Sequence, residues 1–423
     1  MASGITTTRQ AEIPWQELDT IVPAESIRAA GPNDAIDGTM PVKVVTPGNE
    51  LQISELLKWA TGSGARVSVR GGGTKLGWGN LPGAVDLIVS TEKLAGLVEH
   101  AWQDMTVTVR AGTKIAVLQQ QLREHGQRLA LDALWPDRAT VGGVIATHDS
   151  CPLRLRFGSI RDLILGITVV LPNGTIARSG GKVVKNVAGY DLPKLLTGSL
   201  GTLAVITEAT FRAHPLPAEI RTLSFELDDL QAASKFMLAI ANSTLVPTGL
   251  QLRLDSDQRP RVDVRFEGIR EGVEAQSEAA QKTAGTAAIS DVQSCWQGRE
   301  SLWSGGSLSS VGRFSVLPAD LTKAIGAIRD QLPSARIIAQ STGLGLFSAE
   351  CESLDQMESA IERLRQDVQQ LKGTLVLLSV PLELKKKLDV FGQPGDGYPL
   401  MVRVKQQFDS HGILNPGRFL GGI

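Results

Sequence analysis

The chain has 423 residues, more than one ordinary core holds, so two or three domains are expected and two is the working number. Hydrophobic residues make up 42% and charged residues 21%, the proportions of a globular protein rather than a disordered one. A net charge of -1 with no polybasic run provides no field for nucleic acid or an anionic lipid surface.

In chain order, the opening residues carry no apolar run of the kind a secretory signal or a spanning helix needs, so a loose tail and no direct membrane span are expected. Thr46-Pro47 reads as an N-cap with proline at the first helical position, and Ile53, Leu56, Leu57 and Ala60 then share one helical face before Gly62 and Gly64. Residues 66–70 alternate as a strand and run into Gly71-Gly72-Gly73-Thr74-Lys75. Residues 106–110 form a second such strand, and Thr113 is placed to cap a helix carrying Ile115, Leu118 and Leu122, with Gly126 as its stop. Residues 167–171 and 176–178 flank Asn173-Gly174 as a hairpin.

Beyond Pro217 the glycine density falls and the rhythm becomes β-α-β-β-α. Strands are expected near 220–227, 249–254 and 261–266, with helices near 230–241 and 272–283. The order recurs from Arg313, with helices at 321–331 and 353–371 and strands at 336–339, 344–349 and 374–379. One antiparallel sheet with helices on a face follows. The domains read as 37–217, 218–389 and a C-terminal segment, 390–423, returning to the first.

Several motifs carry chemistry. Glycine has no Cβ, so the loop Arg70 to Lys75 lets a diphosphate approach successive amides; taken alone, the same residues read first as a plain strand-to-helix turn. It is neither a Walker A loop nor a Rossmann GxGxxG. A second small-residue site runs from Pro136 through Thr140, Gly142 and Gly143 into Val144-Ile145-Ala146-Thr147, and a third from Gly198 to Thr207. Cys151, Cys295 and Cys351 form no CxxC pair, which argues against a disulfide framework or an iron–sulfur cluster and for a reducing cytoplasm. The histidines, His100, His125, His148, His214 and His411, show no metal-ligand spacing, so no metal is expected. His148 reads as a proton carrier or a hydrogen-bonded structural histidine, and Arg299 and Arg313 as forks for a carboxylate or as packing arginines.

The ordered set RGGGTK, PDRATVGGVIAT, RFGSIRDLILGITVVLPNG, KVVKNVAGYDLPKLLTGSLGTLAVITEAT and LNPGRF resembles the FAD-binding domain shared by vanillyl-alcohol oxidase, p-cresol methylhydroxylase and the FAD-linked 2-hydroxy-acid dehydrogenases. The resemblance implies an α+β chain with a split FAD domain and a ferredoxin-like antiparallel cap. It implies FAD contacts at Arg70, Gly71, Gly72, Gly73, Thr74, Lys75, Pro136, Thr140, Gly142, Gly143, Gly158, Ile160, Ile206 and Asn415. Relatives that tether flavin do so through a histidine where this chain has Thr74, so noncovalent FAD is implied. Relatives read ATN-A-S-G where this chain has Ala146-Thr147-His148-Asp149-Ser150-Cys151.

The cap also lacks the histidine cluster of the catalytic hydroxy-acid subunits. In that respect the chain is similar to the shorter, histidine-poor subunit type of glycolate oxidases. That resemblance implies glycolate oxidation to glyoxylate, with a second FAD subunit and an iron–sulfur subunit as partners through which the chain associates peripherally with a membrane. Two alternatives remain: an electron-relay or assembly subunit, and a self-sufficient 2-hydroxy-acid dehydrogenase.

Overall fold

The structure is a computed structural model describing residues 13–149, 152–181, 190–255, 258–286, 288–290 and 293–423. Ser150, Cys151 and residues 182–189 of the fourth motif lie outside it.

Among the described residues the strands form four sheets. In the first, Ile27–Ala29 pairs antiparallel with Lys43–Val45, which is followed in parallel by Leu87–Ser90 and Val67–Arg70. The second is antiparallel, in the order Leu97–Ala101, Thr106–Arg110, Val205–Arg212, Ile164–Val170, Ile176–Gly180. Gln127–Arg128 pairs with His214–Pro215. The fourth sheet has eight antiparallel strands, in the order Ile289–Ser290, Glu219–Glu226, Arg261–Gly268, Gly249–Leu254, Arg336–Gln340, Leu344–Glu350, Ser309–Ser315, Thr374–Ser379. The fold class is α+β, as the sequence indicates.

Two expected caps fall elsewhere. The first long helix runs Glu50–Ser63, and Asn49, not Thr46, caps it by accepting from the Gln52 amide at 3.0 Å. The Gln52 side chain in turn accepts from the Gly48 amide at 2.7 Å, so the two side chains satisfy amides that Thr46 is too far upstream to reach. Gly62 stays inside the helix and Gly64, at φ +69°, ends it. Thr113 does not cap Ile115–Arg123, because its hydroxyl accepts from the Gly96 amide at 2.9 Å, which ties two loops together instead.

One face of the eight-stranded sheet packs against helices Leu230–Ala241, Arg270–Ala284, Leu321–Gln331 and Leu354–Gln370 through Phe225, Phe266, Phe314 and Phe347, all fully buried. The period of two then turns Arg313 to the opposite face, toward the glycine-rich half. After helix Tyr398–Phe408 the chain returns to that half. The Val67 amide donates to the Ile413 carbonyl and the Asn415 amide to the Val67 carbonyl, each at 2.8 Å. Ile413 and Leu414 are buried there, and side chains of this size stabilise by roughly 1.5–3 kcal/mol each when buried.

Candidate active site

The strand Val67–Arg70 delivers the glycine loop to a cavity. Among the described residues, no hydrogen-bond acceptor faces the amides of Gly71, Gly72, Gly73, Thr74 or Lys75. Consecutive free amides at a cavity wall form a concavity suited to an anion. Close backbone approach demands the glycines. A Cβ on Gly72 would lie 1.7 Å from the Arg138 carbonyl oxygen, and one on Gly71 would lie 2.0 Å from Thr140 Oγ1.

Thr140, Gly142, Gly143, Ile206 and Asn415 line the same cavity. Thr140 is the N-cap of Val141–Thr147. Asn415 is held by three bonds, accepting from Ser68 Oγ at 2.8 Å and donating to the Leu200 and Gly201 carbonyls at 2.9 and 3.2 Å. Other predicted residues lie apart from this cavity. Arg70 pairs with Asp34 at 2.6 Å and lines a groove on the other side of the loop. Pro136 faces a third groove, Ile160 is buried in the core behind, and Gly158 turns the chain at φ +80°.

A second cavity, about 330 Å³, lies between the eight-stranded sheet and the glycine-rich half and shares Trp78 with the first. His148, Arg154, Arg299 and Arg313 line it. Its floor is an ionic network. The Asp149 carboxylate accepts from the Leu134 amide at 2.7 Å and faces Lys75 Nζ at 3.3 Å and Arg299 at 3.4 Å. Arg299 also donates to the Asp132 carbonyl at 2.5 Å, so it is an interior tie between the two halves and not a surface residue. Burial lowers the Lys75 pKa while Asp149 opposes the shift, and the rings of Trp78 and Trp135 sit 5.7 and 5.5 Å from its Nζ.

His148 and Arg313 share this cavity. His148 ends Val141–Thr147 in the left-handed conformation, at φ +50°. Its Nε2 is buried and has no hydrogen-bond partner among the described residues. Burial, reinforced by Arg313 and Arg154, pushes its pKa down to about 4, so the ring is neutral at pH 7. The Arg313 guanidinium makes no hydrogen bond or ion pair among the described residues. Burial lowers its pKa, and Arg154 adds to that while Asp149 opposes it.

Residues 41–180 match the family described as FAD binding domain, and residues 391–419 match the FAD linked oxidases, C-terminal domain. It is an FAD-linked oxidoreductase. The oxidoreductase is 25% identical over 418 residues to glycolate oxidase subunit GlcD of Bacillus subtilis, covering 90% of this chain and 89% of that one. It is 35% identical over 202 residues to a D-lactate dehydrogenase of Archaeoglobus fulgidus, a match spanning 48% of this chain and 45% of that enzyme. The crystal structure of p-cresol methylhydroxylase with substrate bound superposes with a TM-score of 0.76 at 13% identity, over 99% of this chain and 97% of that one. The free amides and the adjoining cavity fit FAD, the cofactor of the oxidoreductase.

Sequence reasoning missed Trp78, Arg154, Arg418 and the role of Asp149. Trp78 was marked by its place between Gly77 and Gly79 just after the glycine loop. Arg418 lies within LNPGRF and donates to the carbonyls of Leu76, Trp78 and Asn80, which fixes the loop carrying Trp78. Asp149 was visible only as a carboxylate in a run of small residues. Among the described residues no cluster of His, Cys, Asp and Glu is suited to a metal, and no helix is long and apolar enough to cross a membrane.

Proposed function

We propose that the oxidoreductase converts a 2-hydroxy acid to the 2-oxo acid, with FAD held noncovalently along Gly71, Gly72, Gly73, Thr74 and Lys75 and against Thr140, Gly142, Gly143, Ile206 and Asn415. The observation that carries the reaction is the unpaired Arg313 sharing a cavity with the unpartnered Nε2 of His148, next to the glycine-loop cavity. Bound FAD supplies a two-electron acceptor for the hydride on the substrate C2. Arg313 holds the carboxylate in a charge-assisted pair. The neutral His148 takes the hydroxyl proton at Nε2. Asp149, through Lys75 and Arg299, keeps the walls in place and offsets part of their charge. The likeness to glycolate oxidase subunits GlcD and GlcE supports assembly of the chain with further subunits that carry the electrons onward.

The test is dye-coupled turnover of the FAD-loaded chain, with the 2-oxo product trapped as its hydrazone. Arg313→Met should lower kcat/KM by roughly 10- to 150-fold, the loss of a hydrogen bond to a charged group, chiefly through KM. Equal turnover of alcohols that lack a carboxylate would overturn the assignment.

A further inference from the structure

The second cavity also bears on which 2-hydroxy acid is taken, a question that rests on the reaction just proposed. Strand register sets one row of side chains across the sheet. Ile338 lies opposite Leu346, Leu346 opposite Arg313, and Arg313 opposite Val376. Directly paired residues share a face, so the lone guanidinium rises from an otherwise aliphatic row. All four residues line the cavity, and Leu378 and Trp78 extend the apolar wall. The described cations that line it, Arg154 and Arg299 besides Arg313, do not belong to this row, and Arg299 is bound to Asp149 and the Asp132 carbonyl. At about 330 Å³ the space sits at the small end of ligand pockets, yet exceeds what glycolate fills.

We propose that the substrate is a 2-hydroxy acid with an aliphatic substituent of several carbons on C2, its carboxylate on Arg313 and its alkyl chain along Ile338, Leu346 and Val376. Glycolate has no substituent to cover that wall. A dicarboxylate such as 2-hydroxyglutarate would find its further polar partners only off this row, at Arg154 or Thr342, and a second charge lying along the row would be stripped of water against aliphatic side chains.

The test uses the FAD-loaded full chain and two readouts. Calorimetric titration with glyoxylate, pyruvate, 2-oxobutyrate, 2-oxohexanoate and 2-oxoglutarate gives binding independently of turnover, and dye-coupled assays give kcat/KM for the matching 2-hydroxy acids. Each methylene laid on the wall should tighten binding by about fourfold, so 2-oxohexanoate binds best. Leu346→Gln, checked for unchanged FAD content and circular dichroism, should flatten that gradient. Tighter binding of glyoxylate or 2-oxoglutarate, or an unchanged gradient in the variant, overturns the chain-length inference alone. If no 2-oxo acid binds and no 2-hydroxy acid is oxidised, the reaction assignment falls with it.

Discussion

Gly72→Ala tests the glycine loop with a single methyl group. Gly72 has an ordinary backbone conformation, so alanine meets no torsional penalty and the effect is one of space alone. The added carbon would sit 1.7 Å from the Arg138 carbonyl oxygen and 2.8 Å from its carbon, backbone atoms that no rotamer change can move. Contacts between carbon and oxygen settle near 3.3 Å or more, so the loop or residue 138 must shift by roughly 1.5 Å. That shift takes the free amides out of register with a diphosphate. A hydrogen bond to a charged group is worth about 1.5–3 kcal/mol, so misplacing two costs about 3–6 kcal/mol. FAD affinity should fall by roughly a hundredfold to ten-thousandfold. The assay is reconstitution of deflavinated protein, following flavin fluorescence. Gly62→Ala is the control, because nothing lies within 4 Å of its added methyl and the helix Glu50–Ser63 should gain about 0.5–1 kcal/mol. Wild-type FAD affinity in folded Gly72→Ala protein would refute the reasoning.

Other predictions concern the charge network and the cofactor. Asp149→Asn leaves Lys75 and Arg299 buried without their carboxylate and should cost about 3–5 kcal/mol in denaturant unfolding. His148 has a folded pKa of about 4 against 6.5 unfolded, so the unfolded chain takes the proton first as pH falls. Its contribution is therefore constant above pH 6.5, and up to about 3 kcal/mol of stability is lost between pH 6.5 and 4. His148→Gln should show a shallower decline in urea melts across that window. With Thr74 where a tethering histidine would stand, acid precipitation should release yellow FAD into the supernatant, and flavin left on the pellet would contradict noncovalent binding.

Much of the fold was legible because side-chain period and turn chemistry agree locally. Helices Leu230–Ala241 and Leu321–Gln331 and strands Thr106–Arg110, Gly249–Leu254 and Thr374–Ser379 begin and end where their patterns do. The misplaced caps at Thr46 and Thr113 share a cause. Each hydroxyl is a sound cap in isolation, but Asn49 and Gln52 satisfy the amides nearer the helix, and Gly96 draws off the Thr113 hydroxyl from another part of the chain. The glycine loop, Thr140 and Asn415 were readable as motifs, since close backbone approach restricts residue type. The Asp149 network was not, because it joins residues as far apart as Lys75 and Arg299, and only the tertiary fold brings them together. The free Nε2 of His148 was also hidden, since a histidine's partners cannot be counted along a chain.

The central claim is that this chain itself oxidises a 2-hydroxy acid at the Arg313 and His148 cavity. The most direct measurement is anaerobic rapid mixing of the isolated, FAD-loaded chain with 2-hydroxyhexanoate, lactate or glycolate while the visible absorbance of oxidised flavin is followed. The account predicts bleaching without any partner or added acceptor, slowed in both Arg313→Met and His148→Gln. Flavin that stays oxidised with every acid, yet bleaches with dithionite or once a partner flavoprotein is added, would contradict it and leave the chain as a relay.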